Sequence, residues 1–125
     1  MSYKVLVVDD EDAVRDLFVE LLKKEKCLTE EASNGEDALA LIEKEAFNII
    51  LLDIKLPGIS GLDVLKKIRG TKPDLPVIMI TGFAYDDELV AKSKEYGCCG
   101  YIVKNMSSSE IIASFKSIAK KAVKK

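Results

Sequence analysis

The chain has no histidine, only three cysteines, and no apolar run approaching the length of a signal-peptide core or a membrane span. Without histidine, and with Cys27, Cys98 and Cys99 forming no C-x-x-C pair, a zinc site has no ligand set; the thiols read as reduced and structural or incidental. The missing apolar run excludes a spanning helix of ordinary length and, with a strand starting almost at the N-terminus, argues for a cytoplasmic protein. Charge of one sign is scarce too: the net charge is −2 with both signs mixed along the chain, so no bulk field favours nucleic acid or an acidic membrane. Linkers, repeats and low-complexity tracts are also absent. What remains is 125 residues, 48% hydrophobic, enough for one core and short for two, so residues 1–125 are expected to fold as one unit.

What is present is a repeated switch between strand-like and helix-like hydrophobic periods. Val5–Val8 reads as a buried strand, and Val14, Leu17, Phe18, Leu21 and Leu22 form a helical stripe. Leu28, Glu30 and Ala32 mark a half-exposed edge strand; after the Asn34-Gly35 turn, Ala38, Leu39, Leu41 and Ile42 make the next helical face. Ile49–Leu52 is apolar on both faces, which places it centrally in a parallel sheet. A Pro/Gly loop from Lys55 to Gly61 then leads into a helix carrying Leu62, Leu65 and Ile68. Pro76–Ile80 is a fourth strand; Asp87–Tyr96 is a weaker helix stopped by Gly97. Gly100–Val103 is a fifth strand, and the Ser107–Glu110 run offers capping hydroxyls to a last helix burying Ile111, Ile112, Phe115, Ile118 and Ala119. Five such units with right-handed crossovers make an α/β fold, a doubly wound five-stranded parallel sheet with five helices.

Ligands of open α/β sheets bind at the carboxyl ends of the strands. There the sequence delivers Asp9 and Asp10 after the first strand, Asp53 after the third, Thr81 after the fourth and Lys104 after the fifth. Helix capping explains one of these carboxylates well and all three poorly. Three converging carboxylates repel unless a cation or proton intervenes, which calls for a divalent metal. Together the five supply a metal-binding acidic pair, a carboxylate nucleophile, a hydroxyl donor and a cation, the equipment for moving a phosphoryl group onto an aspartate.

Four blocks, Val7-Val8-Asp9-Asp10-Glu11, Leu51 to Gly61 around Asp53, Ile80-Thr81-Gly82 and Tyr101-Ile102-Val103-Lys104, closely resemble the receiver domain of two-component response regulators, in order and over essentially the whole length. The resemblance implies the flavodoxin-like strand order 2-1-3-4-5. It further implies that Asp53 is the phosphoacceptor, served by a phosphohistidine on a sensor histidine kinase or histidine phosphotransfer protein. Asp10 would bind Mg²⁺ directly, Asp9 mainly through water, and the Lys55 carbonyl would complete the protein ligands with Asp53. Thr81 and Lys104 would hold the phosphoryl oxygens, and Thr81 with Tyr101 would form the switch that alters the face of the fourth helix, fifth strand and fifth helix. Lys55 and Phe83, flanking the path of hydrolytic water, would lengthen the phosphorylated state.

Asn105 stands where most family members have a proline in a cis peptide bond; a cis bond to a non-proline residue costs roughly 3 kcal/mol, so a trans Lys104–Asn105 bond is expected. No output domain follows the last helix, so a free-standing monomeric receiver of the chemotaxis or sporulation-relay kind is expected, although a piece of a longer regulator would look the same. Lys120, Lys121, Lys124 and Lys125 crowd the C-terminus without interleaved aromatics, which suits the helix dipole better than nucleic acid. Two other function classes compete. An aspartyl-phosphate hydrolase would need a second Asp two residues after Asp53, where Lys55 stands; a flavodoxin-like small-molecule binder would need a phosphate-cradling loop where the acidic run Asp9–Asp12 stands.

Overall fold

Strands and helices alternate along the chain because short continuous apolar runs alternate with segments of helical period. The computed structural model describes residues 3–82 and 87–123. The elements are β1 (Lys4–Val8), α1 (Asp12–Lys24), β2 (Leu28–Ala32), α2 (Gly35–Lys44), β3 (Ile49–Asp53), α3 (Gly61–Thr71), β4 (Val77–Thr81), α4 (Asp87–Glu95), β5 (Gly100–Val103) and α5 (Ser108–Ala122). All pairings are parallel, and the strand order is β2-β1-β3-β4-β5. The chain steps from β1 out to β2 and returns to the other side of β1 with β3, so a crevice opens above the β1 and β3 ends.

Burial on both sheet faces explains the continuous apolar runs. Val5, Val7, Ile49, Leu51, Ile78 and Ile80 pack with Phe18, Ile111 and Phe115 on one face. Leu6, Val8, Ile50, Leu52, Val77 and Met79 pack with Ala38, Ile42, Val64, Leu65 and Ile68 on the other. The α1 stripe differs in detail from the sequence expectation: Leu17 is 37% exposed, while Val19 is buried beside Phe18, Leu21 and Leu22. At about 100° per residue, Leu17 lies just outside the arc that Leu21, Phe18, Leu22 and Val19 span.

Local signals set the helix ends. Asn34 caps α2 by accepting from the Asp37 N–H, Ser60 caps α3 by accepting from Asp63, and Ser107 and Glu110 form a reciprocal capping box on α5. Gly97, past the end of α4, has φ +92°, a backbone that L side chains rarely adopt. Among the described residues no peptide bond is cis, so Lys104–Asn105 is trans as expected. No described helix is long and apolar enough to cross a membrane. Lys124, Lys125 and Phe83 lie outside the described residues.

Candidate functional site

The strand register brings Asp9, Asp53 and Thr81 to one edge of the sheet. Val8 pairs with Leu52, so Asp9 leaves β1 level with Asp53 at the end of β3; Asp53 pairs with Ile80, so Thr81 stands one residue beyond it on β4. Asp9 is 0% and Asp53 3% exposed, whereas Asp10 is open to solvent. Asp9, Asp10 and Asp53 each offer a carboxylate oxygen, and these oxygens lie within 4.8 Å of one another. Local backbone holds two of them: Asp9 Oδ1 accepts the Glu11 N–H at 2.9 Å, and Asp53 Oδ1 accepts the Lys55 N–H at 3.2 Å.

Lys104 crosses from beyond β5 into this cluster. Its Nζ donates to Asp53 Oδ2 and Glu11 Oε1, both at 3.0 Å, and lies 3.1 Å from Asp9 Oδ2. Burial works against the ammonium, but the bonds to Glu11 and Asp53 outweigh it and hold its pKa above the ordinary lysine value. Asp53 is pushed up from 3.8 to about 6, by burial first and by the Asp9 charge second, against the lowering pull of Lys104. The two ends of this contact shift in senses that look contradictory for a simple ion pair. They agree because burial and the Asp9 charge outweigh the lysine at Asp53, while the lysine gathers three carboxylates around one ammonium.

The donor set fits a divalent cation. Asp9 Oδ2 is buried and has no hydrogen-bond partner; Lys104 Nζ reaches it at ion-pair distance without the geometry of a hydrogen bond. A buried oxygen left in that state favours a cation ligand, and an all-oxygen carboxylate set suits a hard ion.

Asp10, Glu11, Asp53, Lys55, Thr81 and Lys104 line a cavity of about 300 Å³, together with Ile54, Gly82 and Leu89. Thr81 is buried, its Oγ1 donating a long 3.4 Å bond to the Gly82 carbonyl. Lys55 lines the mouth with an exposed side chain. Tyr101 does not reach this cavity's lining; it is half-buried against the α2/α3-side core, with Lys94 Nζ 5.4 Å from its ring centroid.

Two participants were not picked out from the sequence. Glu11 is the N-cap of α1, but its side chain makes no cap bond and goes to Lys104 instead; its place directly after the acidic pair was the available signal. Gly61 packs so closely under β3 that a Cβ there would lie 2.0 Å from the Asp53 carbonyl oxygen. Gly61 thus lets α3 start against the strand end that presents Asp53.

A family model described as the response regulator receiver domain matches residues 5–116. Sporulation initiation phosphotransferase F of Bacillus subtilis is 35% identical over 111 residues, covering 89% of both chains. Sensory transduction protein RegX3 of Mycolicibacterium smegmatis is 37% identical over 118 residues, 94% of this chain but only 50% of that protein. Among solved structures, the receiver domain of NtrX from Brucella abortus superposes with a TM-score of 0.86 at 33% identity, covering 93% of this chain and 98% of that one. A CheY-like receiver domain protein from Methanospirillum hungatei superposes at 0.89 with 32% identity, covering 98% and 97%. For some structural relatives the match spans only 28% of the longer chain. The carboxylate cluster, its shared lysine and the matched span lead to one conclusion: the chain belongs to the response regulator receiver domain family of two-component signalling.

Proposed function

We propose that Asp53 accepts a phosphoryl group from a phosphohistidine on a sensor histidine kinase or histidine phosphotransfer protein, and that residues 1–125 act as one receiver unit. The observation that carries this reading is the placement of a buried carboxylate, Asp53, against Asp9, Asp10 and Lys104 at the carboxyl edge of the sheet. An Asp53 oxygen attacks phosphorus as the P–N bond breaks, and the electron pair stays on the imidazole nitrogen. Asp9, Asp10, Asp53 and the Lys55 carbonyl would hold Mg²⁺, which when bound supplies charge neutralisation for the phosphoryl oxygens. Lys104, already 3.0 Å from Asp53, moves its ammonium onto one of those oxygens, and the Thr81 hydroxyl donates to another.

Movement of Thr81 toward the phosphoryl group frees space into which Tyr101 turns, changing the α4–β5–α5 face offered to a downstream protein or next relay partner. The domain supports its own phosphorylation and dephosphorylation and is not otherwise an enzyme. A monomer in the cytoplasm without nucleic-acid contacts suits this role. Lys55 at the cavity mouth slows attack by water on the acyl phosphate, a role the sequence assigns to Phe83 as well. Phosphoramidate, an N–P donor, with Mg²⁺ tests the reading: an acid-stable, base-labile adduct mapping to Asp53 is expected, with faster decay in Lys55→Asn. An adduct on another residue would overturn the assignment.

A further inference from the structure

Arg15 lies one turn into α1 with a side chain 14% exposed, and it uses all three edges of its guanidinium. Nη1 donates to the Asp9 carbonyl at 2.7 Å, Nη2 to Asp12 Oδ1 at 2.6 Å, and Nε to Glu31 Oε1 on β2 at 3.1 Å. Both backbone polar groups of Asp9 are therefore held, since its N–H donates to the Ala32 carbonyl at 3.2 Å. Asp9 is the first residue beyond β1, where the ladder ends and a buried carbonyl needs another donor. Asp12 and Glu31 fix the fork, and the rigid planar fork fixes the carbonyl.

We infer that Arg15 is the positioning residue of the acidic loop: by clamping the Asp9 carbonyl between α1 and β2 it orients the Asp9 and Asp10 carboxylates toward Asp53. This rests on the reading of that cluster as a metal site. Charge and geometry make opposite claims about its loss. Removing a cation near three carboxylates tightens Mg²⁺ binding by charge alone, whereas releasing the ligand loop weakens it.

The test is calorimetric Mg²⁺ titration of the wild type, Arg15→Met and Arg15→Lys, with amide hydrogen exchange of Asp9 and Glu11 measured in metal-free protein. Met keeps most of the packing volume and no donor; Lys keeps the charge without the fork. Mg²⁺ affinity should fall about ten-fold in both variants, and the two amides should exchange roughly ten-fold faster while Ile50, bonded to the Pro76 carbonyl, keeps its rate. Equal or tighter Mg²⁺ binding in Arg15→Met overturns the inference, as does wild-type affinity in Arg15→Lys. If the wild type itself takes up no Mg²⁺, the metal reading fails and the exchange rates decide: faster Asp9 and Glu11 exchange upholds the clamp, and wild-type rates overturn it.

Discussion

Asp53 carries its charge in a place that opposes charge. Burial is the larger cause of its rise to about 6, the Asp9 carboxylate the next, and the Lys104 ammonium only partly offsets them. Because the folded value lies above the ordinary 3.8, folding favours the protonated form. That stabilising contribution is complete below the ordinary value and is lost as pH rises through about 6. A neutral Asn of the same shape avoids the loss. Asp53→Asn should therefore be more stable than the wild type at about pH 7.5 by roughly 1 to 3 kcal/mol, with the gain shrinking below about pH 4. Urea unfolding at the two pH values checks this; an equal gain at both, or a loss at the higher, contradicts it. Low pH should also slow phosphorylation, since only the carboxylate is nucleophilic.

Among the elements, α3 and α5 begin under different constraints. At Gly61, the first residue of α3, helix propensity alone says that Ala would stabilise by about 1 kcal/mol. The 2.0 Å approach to the Asp53 carbonyl says otherwise, and a clash with backbone outweighs propensity. Gly61→Ala should destabilise by about 1 to 3 kcal/mol in denaturant unfolding; a rise in the midpoint would refute the packing argument. At α5, Ser107→Ala removes a cap bond and half of a reciprocal box, for a loss of about 1 kcal/mol by the same measurement. The α5 cap was legible in the sequence because Ser107 and Glu110 signal within one turn. So were the five strands, whose alternating residues fill both faces. Tertiary choices were not legible. Whether Glu11 caps α1 or pairs with Lys104 depends on a residue 93 positions away, and the exposure of Leu17 depends on how α1 is rotated against the sheet.

At the scale of the whole molecule, a doubly wound sheet gathers residues from four strand ends into one crevice, which is why residues as scattered as Asp10 and Lys104 line one cavity. The same gathering concentrates negative charge, so a cation bound there should stabilise the entire fold. With Mg²⁺ at ten-fold excess over its dissociation constant, stability should rise by about 1.4 kcal/mol, or about 5 °C in Tm. Thermal melts with and without Mg²⁺ check this; no shift in the wild type, or an equal shift in Asp10→Ala, would count against the metal site. The central functional claim is that Asp53 is the single phosphoacceptor. Intact mass spectrometry of the wild type and Asp53→Asn after acetyl phosphate and Mg²⁺ tests it most directly. The account predicts one added phosphoryl group on the wild type and none on Asp53→Asn; an unmodified wild type, or a variant labelled as fully as the wild type, would contradict it.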